Sequence, residues 1–143
     1  VKATSVQDVL VEIIAAALPD VAVGLGRPDV ITTGEAIWVS DQMEARYEPL
    51  TTGLASQMRS EVLTLRVVAV VAEAVGEFTA RRDRAYELAR EIEVAIAADQ
   101  TLGGDVELAW VSQVRSEDTA TPKGHITSIE LEITAQSTLP TPA

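Results

Sequence analysis

The sequence predicts an α+β fold: a mainly antiparallel sheet with two helices packed on one face. Three observations carry this. Two stretches repeat apolar residues at helical spacing. Others alternate with the period of two that a half-buried strand requires. Finally, strands come in runs broken by helices instead of alternating one to one with them, which argues against a parallel α/β sheet.

The first helix rests on Val6, Val9, Leu10, Ile13, Ile14 and Ala17, one apolar stripe. Ser5 and Asp8 have the spacing of a capping box at its start, and Pro19 stops it. Val21 to Leu25 reads as a short strand and Ala36 to Ser40 as a second, with Thr33-Gly34 as a turn between them. From Met43 to Gln57 the periodicity fades, and Pro49, Thr51, Thr52 and Gly53 predict a loop or irregular hairpin. Arg59 to Ala74 is the longest strand candidate. Leu63, Leu65, Val67, Ala69 and Val71 share one of its faces, and its second half is apolar on both, so it should lie centrally. Thr79 opens a second helix with a stripe of Ala85, Leu88, Ala89, Ile92, Ala95 and Ile96, and Gly103-Gly104 ends it. Val106 to Val114 and Ile129 to Ala135 supply two further strands, separated by a polar loop from Ser116 to Gly124. Residues 1–136 form one domain on this reading. Residues 137–143, with Pro140 and Pro142, form a loose C-terminal tail.

Composition narrows the function. The 143 residues include 11 basic and 22 acidic side chains, a formal charge of -11. Such a field repels phosphate backbones, so wrapping of nucleic acid by charge attraction is excluded. Cysteine is absent, which removes disulfide scaffolds, thiolate metal sites and cysteine nucleophiles. No apolar run reaches the roughly 18–20 residues of a membrane helix, and no secretory leader pattern is present. A soluble intracellular protein is expected, with no membrane partner.

Few motifs point to chemistry. Gly24-Leu25-Gly26 follows a strand, but Asp29 stands where a dinucleotide fingerprint needs its third glycine, so turn chemistry explains it better. His125 is the single histidine, and the sequence offers it no evident catalytic partner. Glu130 and Glu132 share one strand face. Paired carboxylates can hold a hard cation or do acid–base work, but alternation with Ile and Leu is also how a half-exposed strand reads. Arg81, Arg82 and Arg84 crowd the first turn of the second helix, where the helix dipole opposes them. Two readings remain open for them. They pair with carboxylates of a neighbouring subunit, or they form a solvated helix start offset by Asp83 and Glu87. Trp38, Tyr47 and Met58 are interface anchors or ordinary core, and Trp38 fits core better. No catalytic residues, cofactor site or metal site is expected, and the chain reads as a non-enzyme.

The whole layout carries a resemblance. A capped helix ends at Leu18-Pro19, followed by Val21-Ala22-Val23-Gly24-Leu25, a strand with Trp38-Val39 and a long irregular segment. The strand Glu61 to Glu73 leads into Arg82-Asp83-Arg84-Ala85-Tyr86-Glu87-Leu88-Ala89. Then come Val106-Glu107-Leu108-Ala109-Trp110-Val111 and Ile129-Glu130-Leu131-Glu132-Ile133. From Val6 to Ala135 this resembles the tail terminator and tail-completion proteins of long-tailed bacteriophages. The resemblance implies a structural virion protein at the head-proximal end of the tail, assembled in the host cytoplasm. It implies a homohexameric ring that caps the tail tube, docks a neck or head-completion protein and lets DNA pass without specific binding. Six copies would carry six times the -11 charge, which favours sliding of DNA over capture. Ring closure is a head-to-tail contact. The expected contact residues are Arg81, Arg82 and Arg84, with Glu44, Arg46, Tyr47 and Glu48 of the irregular segment and Met58 beside it. Alternative readings are a neck or other minor tail protein, a ferredoxin-like small-molecule-binding regulatory domain, and a hydrolase using Glu130 and Glu132.

Overall fold

A computed structural model describes residues 3–28, 34–49, 58–73, 78–121 and 124–140. Its elements are α1 (Ala3–Ala17), β1 (Ala22–Leu25), β2 (Glu35–Pro49), β3 (Met58–Glu73), α2 (Phe78–Ala98), β4 (Leu108–Thr121) and β5 (Gly124–Pro140). The strands form one five-stranded sheet in the order β1-β2-β3-β5-β4. All neighbours are antiparallel except β1 and β2. The α+β fold expected from the sequence is the fold observed.

The core sits between the helices and one face of the sheet. Val6, Leu10 and Ile14 of α1 and Leu88, Ile92 and Ile96 of α2 are buried. They meet Ile37, Val39, Leu65, Val67, Ile129, Leu131 and Ile133 from the strands in a single cluster. Full burial of one such side chain stabilises by about 1.5–3 kcal/mol. β3 is central and covered on both faces over its second half. Val67, Ala69 and Val71 point into the core, while Val70 packs with Trp38 and Ala36 on the opposite face. Trp38 is thus buried, but in this second, smaller cluster and not beneath the helices.

Four local features differ from the sequence reading. α1 begins at Ala3, so Ser5 lies within the helix and does not cap it. The expected loop from Met43 is strand as far as Pro49, in register with Arg59–Leu65. Residues 50–57, the rest of that segment, lie outside the described residues. The expected polar loop from Ser116 is likewise strand as far as Thr121, paired with β5. The last strand begins at Gly124 and runs to Pro140, so Ser137 to Pro140 pair with Met58 to Glu61. Most of the added residues are polar and exposed or half-exposed, although Thr127 and Ser137 are buried. The backbone ladder holds them without any apolar alternation.

The end of α2 shows how a helix stops. Leu102, Gly103 and Gly104 all have positive φ, at 49°, 71° and 91°. Leucine tolerates this conformation poorly, yet Leu102 is fully buried and so held by its packing. Asp99 ties the turn by accepting hydrogen bonds from the Gly103 N–H (3.0 Å) and the Thr101 hydroxyl (3.1 Å). Among the described residues, no helix is long and apolar enough to cross a membrane.

Candidate functional site

The residues singled out for assembly fall at the two ends of the sheet. One end carries the start of α2. The other is an arm in which the distal half of β2 (Met43–Pro49) pairs with Arg59–Leu65 of β3, and β5 runs alongside.

At the α2 end the three arginines part company. A helix turns about 100° per residue, so neighbours in sequence face different ways. Arg81 lies four residues before Ala85 and seven before Leu88, on the apolar stripe itself, and it is buried. Its guanidinium reaches Asp118 of β4 at 3.4 Å. Arg84 makes a bidentate pair with Glu35 at 2.6 and 3.0 Å and a further contact with Glu87 at 3.1 Å. The Glu35 hydrogen bonds and charge hold its pKa above the ordinary arginine value. Arg82 faces solvent, with Asp83 at 3.2 Å and the Phe78 ring below it. All three cations therefore have carboxylate partners inside the chain, but Arg81 and Arg84 are tied to other elements of the fold, whereas Arg82 pairs only with its exposed neighbour Asp83. Only Arg82 presents its charge mainly outward. The apolar stripe, extended one turn back from Ala85, was the available signal for Arg81.

Asp118 is the hub of a small polar cluster. It accepts hydrogen bonds from the Thr127 hydroxyl at 2.7 Å and from Arg81, and His125 Nδ1 lies 3.3 Å away. The Thr127 hydrogen bond, with the charge of Arg81 and the His125 contact, holds its carboxyl below the ordinary aspartate range, and desolvation only partly opposes this. An Asp–His contact of this kind can orient a general base, but here the other carboxylate oxygen of Asp118 is held by a threonine and a buried arginine, and the cluster ties α2 to the sheet. Glu130 pairs with Arg66 at 3.2 Å, while Glu132 binds the Ser112 hydroxyl at 3.2 Å. The two carboxylates thus have separate partners. Among the described residues no group of three or more potential ligands could hold a metal ion. Gly26, at φ 76°, turns the chain after β1 and donates its N–H to the Val39 carbonyl at 2.7 Å, consistent with the turn reading of Gly24-Leu25-Gly26.

At the arm end Glu44, Arg46, Tyr47 and Glu48 are exposed and Met58 is half-buried. Arg46 and Glu48 pair at 3.4 Å on one face. On the other, the Arg59 guanidinium stacks 3.9 Å from the centre of the Tyr47 ring. A hydrogen bond to Glu61 and its negative charge raise the Tyr47 pKa. Glu61 itself is buried. The arm is therefore a polar, locally ordered surface carrying one large aromatic ring.

Sequence reasoning missed one further surface, along β4. Tyr86 and Val94 stand eight residues apart on the outer side of α2, and both are about half exposed. With Ala97, Trp110 and Val111, Val94 lines a hollow of about 300 Å³ between α2 and β4. Val114 is exposed farther along the same strand. The signal for this surface was apolar residues on α2 lying off its buried stripe. A second hollow, of about 340 Å³, opens on the opposite face of the sheet over Trp38, Val68, Val70 and Ile126, with Arg27 at its lining.

No known protein-family profile matches the sequence, and no curated protein matches it. The fold does have a counterpart among solved structures. The chain is similar to one from the "virion of native gene transfer agent (GTA) particle", with a TM-score of 0.52 and 15% sequence identity. The likeness covers 91% of this chain and 92% of that one, so the two share a fold from end to end.

Proposed function

We propose that this chain is a structural subunit of a phage-like virion, acting by shape and not by catalysis. The observation that carries the reading is the end-to-end fold shared with a chain of a gene transfer agent virion. The more specific role is that of a tail terminator. Copies would form a ring, hexameric by the resemblance of the sequence, that caps the tail tube and receives a neck or head-completion protein while DNA passes through. The strongly acidic composition supports a passage that does not bind DNA. The ion pairs also support it, because Glu130, Glu35 and Asp118 are engaged with arginines within the chain and not arranged as a reactive pair. The arm residues Glu44, Arg46, Tyr47, Glu48 and Met58, with outward-facing Arg82, are the contacts proposed for a neighbouring copy or the tube. Arg81 and Arg84 act in this reading by fixing the start of α2.

The regulatory-domain reading is less well supported. Its ferredoxin-like form alternates strands and helices as two β-α-β units, whereas here β1, β2 and β3 follow one another before α2.

The test is native mass measurement and negative-stain imaging of the purified protein, alone and with tail tubes assembled in vitro. Closed rings, free or seated on tube ends, together with tubes of limited length, are expected. Rings found only at the head side of the neck would point to a neck protein. A protein that stays monomeric and leaves tube growth unchanged would overturn the proposal.

A further inference from the structure

The sheet has two open edges, and they match. One is the outer edge of β4. The carbonyl of Gln100 accepts the Ala109 N–H at 2.7 Å, which covers the start of this edge. Beyond the irregularity between Val111 and Gln113, β4 pairs only with β5 among the described residues, and residues 112–120 are all exposed. The other is the distal half of β2. β1 pairs with β2 only from Ala36 to Val39. After the irregularity between Val39 and Met43, residues 43–49 pair only with β3 among the described residues. Proteins usually blunt edges of this length with proline, charged side chains, bulges or a covering segment. β4 contains neither proline nor lysine, β2 has proline only at its last position, Pro49, and in each strand the irregularity precedes the open stretch and does not interrupt it.

The polarity of these edges is set by the topology. β2 runs antiparallel to β3, β3 to β5, and β5 to β4. β2 and β4 therefore run in opposite directions. When a second copy is placed head to tail beside the first, its β2 meets β4 with the antiparallel sense that the sheet already uses. An isologous pairing of two β4 edges would need a two-fold axis and would close at two copies.

Charge then selects the partner. The row of side chains on the face of β2 away from the helices is Glu44, Arg46 and Glu48. The corresponding row on β4 is Gln113, Arg115 and Glu117. Like charges directly opposite destabilise a strand pair, so Arg115 is excluded from Arg46 and falls opposite Glu44 or Glu48. Opposite Glu48, the same register also sets Arg46 against Glu117. On the helix side, Tyr86, Val94, Val111 and Val114 form an apolar margin along the β4 edge; with Arg115 opposite Glu44 an added arm sets Ala45 against Val114, and with Arg115 opposite Glu48 it sets Tyr47 against Ser116 beside Tyr86.

We infer that the outer edge of β4 accepts the distal half of β2 from a second copy, antiparallel, so that the sheet continues from subunit to subunit. This inference rests on the proposed ring and names the contact that joins its members. Main-chain hydrogen bonds would supply affinity, and the Arg115–glutamate pairing would supply register.

The absence of cysteine makes the test direct. Two double variants, Arg115→Cys with Glu44→Cys and Arg115→Cys with Glu48→Cys, are oxidised at assembly concentration and run on a denaturing gel. One of them should give a ladder of dimer, trimer and higher species, while the single variants stay monomeric. Assembled protein without a ladder in either double variant would overturn the inference and leave the ring reading standing. Dimers from Arg115→Cys alone, as abundant as in the doubles, would overturn it in favour of an isologous contact. A protein monomeric with and without tail tubes would overturn both. As an independent check, Arg115→Glu should weaken association by about tenfold or more while the monomer stays folded by circular dichroism, with only a small drop in thermal unfolding because Arg115 faces Glu130 across β5. Adding Glu44→Arg and Glu48→Arg should restore it. Failure of that rescue, with all variants folded, also counts against the inference.

Discussion

The two halves of β2 have the same backbone and opposite surroundings. From Glu35 to Val39 the strand lies between β1 and β3 beneath the helices, and Ala36 to Val39 are all buried. From Glu44 to Pro49 it lies beyond both β1 and the helices, and every residue is exposed. The irregularity between them is tied to α1, where the Gln7 side-chain amide donates to the Ser40 carbonyl at 3.0 Å. A strand does not need apolar alternation to exist. It needs one paired neighbour for its backbone and, separately, a cover for its side chains. Where the cover is missing, the surface stays free for another partner.

The contrast should show first in stability. Ile92→Ala and Leu131→Ala, both in the covered body, should each destabilise by about 2–5 kcal/mol in urea unfolding, because each leaves a cavity in close-packed surroundings. A loss under about 1 kcal/mol would mean that the helices do not seal this face as described.

Arg81 and Arg82 sharpen the same contrast between adjacent residues. Arg81→Ala removes a buried cation from Asp118 and should cost about 1–3 kcal/mol, whereas Arg82→Ala should stay within about 0.5 kcal/mol. Equal losses in thermal unfolding would contradict the different burial of the two side chains.

Acid should act through Asp118. Its pKa is lowered in the fold, so its contribution is fully present above the ordinary aspartate value of about 3.9 and is lost as pH falls through the folded value. Thr127→Val removes the leading cause of that shift. The Asp118 carboxyl should then titrate at higher pH by NMR, and acid unfolding should begin at higher pH. An unmoved titration would show that Thr127 is not the group holding it down.

The smallest effect on folding belongs to the arm. Tyr47→Ala should change monomer stability by less than about 1 kcal/mol, since the ring is half exposed. Association measured by sedimentation should nevertheless weaken, and unchanged association would remove Tyr47 from the contact.

Much of the body was legible because apolar residues at fixed periods report cover. The stripes of α1 and α2 and the run from Leu63 to Val71 gave the helices, the central strand and the shared face. The arm and the far half of β4 were illegible for the same reason. Glu44, Arg46 and Glu48 lie on uncovered sheet, and Ser116 and Asp118 meet α2 through polar contacts with Tyr86 and Arg81, so composition in both stretches resembles that of a loop. Arg81 differs from Arg82 and Arg84 by helical angle, a distinction that proximity in sequence does not carry. Partner choice at Arg84 depends on Glu35, forty-nine positions away, and no local pattern encodes such a contact.

β1 pairs with only four residues of β2. Its length sets how much of that strand is interior and how much is frontier. Extending β1 by about ten residues past Leu25 in the same parallel register, in which Leu25 faces Val39, would close off the remaining hydrogen-bonding groups of Met43 to Pro49. A change far from any charged contact would then turn a molecule able to add strands into one that terminates its own sheet.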